Sequence, residues 1–571
     1  MNLDEDIIES DLCDLISYFS KQTYSASSSD AKARKILDRC IDLFMKDYDI
    51  SVLTNGNGEL CGHYPQRIII IESEILRGEE LRANRRPVKI NDISQLKPLI
   101  GKARLARCRS RFVVPVISFN GKNVCRSATL SSFAEIAGRS GFNFLFSSPV
   151  FPDDALCEGN DGEWDLVHNS RCQDIQLLKT LRVKYIFDLM LENKKVKYGM
   201  RITSSEKVDK ENRYAEFCLC CIPYPGCEFF RVLKIKDYLL NRIHFDWNQD
   251  YVDADLNIPT EIESEIDCDW ERYQRWDLAT LTQNYFLLLL KTILNSDDGV
   301  LVHCISGWDR TPLFVSLLRL SLWADGLIHQ SLDALEILYL TIAYDWLLFG
   351  HDLNDRMQRD EEVFFFCFHF LQYIMSDVYA LTHLDRSSSE TSLRSNNDTV
   401  SHEEFRNGDT LTESTCCREF FIGQQTNDEN RNEENSSRSL DDPRSQNIPS
   451  VLHNGSTPLP VPGNNSVRNQ AQCKNSLNAG SWQLISRPAS LCSTAGSDSG
   501  YPSLAKRWEE NGSSLSSCEE ACEDSVRRIR LETVRSLFLK IYKNVMRDGG
   551  NEASSVTLSK LFNQLKPPWG K

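Results

Sequence analysis

The sequence predicts an α/β fold, a central mixed sheet flanked by helices, and three stretches carry that expectation. Gly299-Val300-Leu301-Val302 is a run of β-formers that feeds a turn at Gly307, then an apolar helix through Leu313, Phe314, Leu317, Leu318 and Leu320. Pro312 falls in the first turn of that helix, where a missing N–H costs nothing. Val183–Leu189 and Phe217–Gly226 read as further strands, and Gln283–Leu294 as an amphipathic helix leading into the strand at 299.

The remaining parts follow in chain order. Residues 1–100 read as a helical and hairpin region. Ile7, Ile8, Leu12, Leu15, Ile16 and Phe19, then Ile36, Leu37, Ile41, Leu43 and Phe44, recur at helical spacing. Val52-Leu53-Thr54 and Arg67–Glu72 read as two strands around a turn at Asn55-Gly56-Asn57-Gly58. Residues 101–385 hold the α/β domain. From 386 to 524 the chain turns to Ser, Asn, Asp, Glu, Gly and Pro without periodicity, as in Asn427-Asp428-Glu429-Asn430, and is expected to be a disordered linker. Residues 525–571 read as a C-terminal amphipathic helix. Val526, Ile529, Val534, Leu537, Phe538, Ile541 and Val545 form its apolar face, opposite Arg527, Arg528, Arg530, Arg535, Lys540 and Lys543. Docking back on the core is preferred to lying on a membrane, because Leu561, Phe562 and Leu565 add further apolar groups.

Charge narrows the classes of partner. The chain carries 65 basic and 81 acidic residues, a formal net charge of −16, which makes it a poor partner for nucleic acid. Between Arg82 and Arg126, however, twelve Lys or Arg stand against one acid, Asp92. That stretch is either a solvated basic face or a surface drawn to anionic lipid. The apolar run Phe364–Met375, broken by His369, is too short to span a bilayer, so no transmembrane segment is expected. Twenty cysteines lack a framework spacing, and Met1–Asp6 is acidic with no apolar leader, so a reducing compartment and free thiols are expected. Cys218-Leu219-Cys220-Cys221 contains a Cys-x-x-Cys without a second pair, and strand packing is favoured over zinc. No metal and no cofactor are expected.

The chemistry lies in His303-Cys304-Ile305-Ser306-Gly307-Trp308-Asp309-Arg310-Thr311-Pro312. A strand-to-helix turn there would aim backbone N–H groups at a bound phosphate, and the helix N-terminus favours an anion. The same field lowers the pKa of a thiol, so Cys304 is expected to be a thiolate nucleophile. Arg310 supplies a planar fork for two phosphate oxygens. Ile305, Ser306, Gly307 and Trp308 would line the phosphate, and Thr311 would give a hydroxyl to the departing sulfur. Asp309, an acid inside an anion-binding loop, is expected to be the general acid for the departing alkoxide, with Asp246, Asp250 and Asp253 as the next candidates.

His-Cys-x-x-Gly-Trp-Asp-Arg-Thr resembles the signature of the myotubularin phosphatases, whose loop reads Ser-Asp where this chain has Ile305-Ser306. Asp345-Trp346-Leu347-Leu348-Phe349-Gly350-His351-Asp352-Leu353 is similar to that family's Glu-Trp-Leu-Ser-Phe-Gly-His-Lys-Phe segment, and Arg111–Ser118 with Arg126-Ser127 to its early catalytic strands. The likeness covers roughly residues 105 to 380. It implies a cysteine-dependent phosphatase fold and removal of the 3-phosphate from phosphatidylinositol 3-phosphate and phosphatidylinositol 3,5-bisphosphate. It also implies peripheral contact with phosphoinositide-bearing membranes of endosomal or autophagic type from the cytoplasm, with protein partners reached through the linker. Members usually carry a PH-GRAM domain; the 100 residues ahead of the match, nearly half helical, argue against an intact one. A protein tyrosine or dual-specificity phosphatase, and a catalytically weak phosphoinositide-binding adaptor, are the alternative readings.

Overall fold

The computed structural model describes residues 6–75, 89–133, 135–136, 139, 161–197, 200–209, 211–264, 266–381 and 516–548, without the side chains of 161–166, 195–197, 200–204, 516–525 and 548. Its regular elements are α1 (Glu9–Phe19), α2 (Ala31–Met45), β1 (Tyr48–Thr54), β2 (Arg67–Glu74), α3 (Ile93–Ala103), β3 (Val114–Phe119), β4 (Lys122–Ala128), β5 (Leu130–Ser131), α4 (Asp161–Thr180), β6 (Val183–Asp188), β7 (Lys194–Lys197), β8 (Met200–Ser204), β9 (Cys218–Cys221), α5 (Leu278–Asn295), β10 (Gly299–Cys304), α6 (Arg310–Ala324), α7 (Ala334–Leu340), α8 (Leu353–Gln358), α9 (Val363–His369) and α10 (Ser516–Asp548), with short helical turns between them.

Five strands form the central mixed sheet in the order β3-β4-β10-β6-β9. β10 is parallel to β4 and β6, β6 is parallel to β9, and β3 is antiparallel to β4. β10 is therefore the middle strand, and every one of its residues is buried. That explains its unbroken apolar run: a strand covered on both faces does not alternate. A smaller antiparallel sheet, β5-β8-β7, lies apart from it.

Two helices next to β10 are more deeply enclosed than their sequences suggest. α6 is buried along its whole length. The stretch read as amphipathic at 283–294 lies in α5, where only Asn295 is exposed. An apolar helix with sparse polar positions is covered on all sides when both the sheet and other helices pack on it. The strand expected at 217–226 is shortened to β9, because Pro223 and Pro225 have no N–H to give a ladder. Cys218 and Cys221, three apart on β9, project to opposite faces and cannot grip one ion.

The N-terminal elements share one apolar core with the sheet. Asp30 caps α2 by accepting from the N–H groups of Lys32 and Ala33. β1 and β2 pair antiparallel, but the connection runs to residue 66 and is organised by Asn55. Its buried side chain donates to Cys61 O at 2.8 Å and accepts from Leu60 N at 2.9 Å, closing a loop no short turn could make.

α10 begins at Ser516, inside the stretch expected to be linker, and residues 386–515 lie outside the described residues. Its buried side differs from the apolar face read in the sequence. Leu531, Val534, Phe538, Leu539, Ile541 and Tyr542 are buried together with Arg527 and Arg535, while Val526 and Ile529 are 40 % and 60 % exposed. Phe538 stacks on Phe368 with centroids 4.1 Å apart. Arg527 pairs with Asp325 and donates to Ile374 O at 2.9 Å, so α6 and the end of α9's segment select a charged residue where an apolar one was expected. Phe538→Ala should therefore lower unfolding free energy by about 3–5 kcal/mol and Ile529→Ala by less than about 0.5 kcal/mol, measured by denaturant titration of the full chain.

Candidate active site

The candidate loop joins the buried end of β10 to the first turn of α6, at the carboxyl edge of the parallel strands. Gly307 sits at φ +65°, and a Cβ there would stand 2.6 Å from Ser127 O on β4. Only glycine allows the loop to press so closely on the sheet. Its N–H donates to Cys304 Sγ at 3.2 Å. Three donors hold the loop's carbonyl groups from behind. Arg111 Nη1 donates to Ser306 O at 2.9 Å, Arg126 Nη2 to Gly307 O at 3.0 Å, and His351 Nδ1 lies 3.0 Å from Trp308 O. With the oxygens turned outward, the N–H sides of those peptides turn inward, that of Gly307 onto the sulfur and those of Trp308 and Asp309 left for an anion.

Cys304 is buried, which by itself would raise its pKa. Arg310, together with the hydroxyl and amide of Thr311, outweighs burial and brings the thiol below its ordinary value. Thr311 itself is wholly enclosed at the first turn of α6. Arg310 is fixed through Nη1, which donates to Leu189 O at 2.6 Å and Tyr224 O at 2.9 Å. Those carbonyls lie just past β6 and β9, so the sheet ends aim the guanidinium and leave its Nε and Nη2 edge for two oxygens of a ligand. Ile305 contributes its carbonyl to Thr129 N at 3.3 Å, tying the loop to β4.

Asp309 closes the N-terminus of α6 and turns towards the segment after the second motif. Its Oδ1 lies 3.0 Å from His351 Nδ1 and 3.3 Å from Arg356 Nε. Burial would raise its pKa, but His351, Arg356 and Arg310 hold it down at about 2. Asp246 accepts from Asn248 N at 3.0 Å within its own loop, and Asp253 from Asn193 N at 2.6 Å between β6 and β7.

His303, at the head of the motif, faces the other side of β10 and belongs to a buried charge network. Its Nε2 lies 3.0 Å from Glu206 Oε2 and its Nδ1 3.7 Å from Asp188 Oδ1. Arg107 binds Glu206 and also Asp174, which accepts from Tyr214 OH at 2.8 Å. Burial lowers the His303 pKa, yet the two carboxylates raise it overall, favouring an imidazolium. Asp188, Glu206 and His303 offer ligand atoms within 4.8 Å of one another. The guanidinium of Arg107 already places a positive charge on that set and opposes a further cation.

Several contributors to the site have no role that the sequence assigns. Of the basic residues between 82 and 126, Arg111 and Arg126 are buried under the loop, Arg107 is buried in the charge network around Glu206, Arg109 is half-buried at the loop's rim, and 82, 85 and 86 lie outside the described residues. The basic stretch is thus in part an internal brace, not one outer face. Its signal was present, since arginine in an otherwise β-forming run such as 123–128 has to bury its charge. Leu189 and Tyr224 had no signal, because they act through main-chain oxygens.

The myotubularin-like phosphatase domain matches residues 280–402. Over 399 residues, 67% of this chain and 60% of the relative, it is 52% identical to the mouse phosphatidylinositol-3,5-bisphosphate 3-phosphatase MTMR14, and over 394 residues 51% identical to the human protein of that name. A phosphoinositide 3-phosphatase of Saccharomyces cerevisiae is 36% identical over 106 residues, 18% of this chain and 14% of that protein. The chain spans about 60% of the length of its mouse and human relatives. The loop, its braces and these likenesses agree, and the chain belongs to the myotubularin-related family.

Proposed function

We propose that the protein is a lipid phosphatase that removes the 3-phosphate of phosphatidylinositol 3-phosphate and phosphatidylinositol 3,5-bisphosphate through a phosphocysteine. The observation that carries the reading is a buried thiol at the end of β10, held below its ordinary pKa by Arg310, whose own guanidinium is fixed through one nitrogen. Its mouse and human relatives carry the bisphosphate 3-phosphatase name. The enzyme would meet its substrate peripherally, on endosomal or autophagic-type membranes reached from the cytoplasm; among the described residues no helix is long and apolar enough to cross a bilayer.

In the first step Cys304 attacks phosphorus, the S–P bond forms, and the inositol oxygen leaves with a proton from Asp309. In the second, water attacks phosphorus, gives its proton to Asp309, and the S–P bond breaks to release inorganic phosphate and the thiolate. Arg310 and the loop N–H groups hold the equatorial oxygens throughout, where charge develops. Asp309 is ionised in the free protein, and a doubly charged phosphate arriving beside it raises its pKa towards the donor form. His351 and Arg356 hold the carboxyl in place through Oδ1.

Phosphate release from a phosphoinositide panel and a phosphotyrosine peptide tests the reading, and turnover of the peptide alone would reject it. Cys304→Ser should abolish turnover while the thermal transition is retained, since a serine alkoxide is not accessible at neutral pH. Arg310→Lys should be nearly inactive, as it keeps charge but loses the two-point grip. Asp309→Asn should slow phosphoinositide hydrolysis by roughly two to four orders of magnitude and an activated aryl phosphate much less, because an aryl leaving group departs without a proton. Equal losses on both substrates would remove Asp309 from the acid role.

A further inference from the structure

Arg109 stands at the rim of the loop and takes no part in the two steps above. Its guanidinium lies 4.4 Å from the centroid of the Trp308 ring, and its Nη1 donates to the Ser306 hydroxyl. Both partners are neutral. Among the described residues no carboxylate pairs with it, whereas Arg107 meets Asp174 and Glu206, Arg139 meets Glu135, and Arg356 meets Asp309 and Glu361. Arg111, 4.9 Å from the same ring, is likewise answered only by carbonyl groups. Among the described residues, then, no carboxylate pairs with either guanidinium at this rim. The nearby His63 ring reports their charge: burial first, then Arg111 and Arg109, push its pKa down to about 4.

The backbone that presents Arg109 is strained. Arg109 and Ser110, consecutive non-glycine residues, both adopt the left-handed region at φ 56° and 55°. Such conformations persist only where the surroundings enforce them, and they gather at ligand-handling positions. Here Glu135 enforces it by accepting from Arg109 N at 2.5 Å, and Arg139 donates to Ser110 Oγ at 3.2 Å. Glu135 is thus used on the main chain beside the guanidinium and not on the guanidinium itself. A half-buried arginine laid on an indole loses little freedom when an anion arrives.

We propose that Arg109, seated on Trp308 and bonded to Ser306, is a specificity residue that takes a second phosphate of the substrate, other than the one held over Cys304. The proposal rests on the 3-phosphatase reading and deepens it. Two sources offer that chemistry: another monoester on the inositol ring, or the diester that joins the ring to glycerol.

Phosphate release by the full chain from short-chain phosphatidylinositol 3,5-bisphosphate, short-chain phosphatidylinositol 3-phosphate and free inositol 3-phosphate separates them. In Arg109→Gln, kcat/KM should fall roughly tenfold more on the substrate bearing the contacted phosphate than on the one lacking it, the size of a lost charged hydrogen bond. A collapse of the bisphosphate-to-monophosphate ratio assigns the ring monoester; a collapse of the lipid-to-inositol 3-phosphate ratio assigns the diester. Arg109→Lys should keep part of the ratio, and Ser306→Asp, which places a carboxylate on the guanidinium, should reduce it as Arg109→Gln does. Ratios within one preparation are independent of how much of it is folded. Equal losses on all three substrates, or no loss on any, overturn the assignment and leave Arg109 a brace of the loop. Inactivity of the unsubstituted chain on all three overturns the 3-phosphatase reading and this proposal with it.

Discussion

The carbonyl groups of Ser306, Gly307 and Trp308 have to be held away from the ligand, and that requirement organises the molecule. A loop that binds an anion with N–H groups must turn its oxygens elsewhere, and buried oxygens need donors. Arg111, Arg126 and His351 are those donors. Arg111 and Arg126 carry no carboxylate partner among the described residues, and burial pushes the Arg111 pKa down to about 10 and lowers that of Arg126. Carbonyl groups and aromatic faces surround their charge, so their field reaches the loop. A carboxylate in the same place would have cancelled it.

The segment around Asp345–His351 then has a clear purpose. Asp345 O accepts from Arg126 at 2.7 Å and Phe349 O accepts from Arg111, so each arginine bridges the loop to this segment. The carboxylate of Asp345 is held by Arg319 on α6 through two bonds of 2.8 Å. Gly350, at φ +79°, leaves room for Arg111, whose Nη2 would lie 2.9 Å from a Cβ. Two motifs some forty residues apart are therefore the two sides of one arginine bridge. His351 completes it, its Nδ1 shared between Trp308 O and Asp309 Oδ1.

Support for His351 comes from the apolar core. Phe19 from α1, Trp346 and Phe364 surround its ring, and Phe364 meets Phe538 of α10 at 5.5 Å. The elements at both ends of the described chain thus pack on the aromatic layer behind the candidate acid. Their role in the fold and their nearness to the site follow from the same contacts, because a ring enclosed on three sides has one orientation.

Sequence alone made the candidate loop legible. A strand of β-formers, a cysteine, a glycine, an arginine and a helix start form a local pattern, and local patterns are readable because backbone geometry relates residues a few positions apart. The strands at 183 and 299 and the helices near 12, 41 and 538 were legible for the same reason. Tertiary structure decided what depends on distant partners. It turned Arg107, Arg111 and Arg126 inward, enclosed α5 on all sides, shortened the strand at 218, and placed Arg527 and Arg535 in the face that α10 buries while Ile529 faces out. It also put Asp309 against His351 and Arg356, and Arg109 on Trp308. Burial and pairing are properties of two segments meeting, and neither segment carries the other's position in its own periodicity.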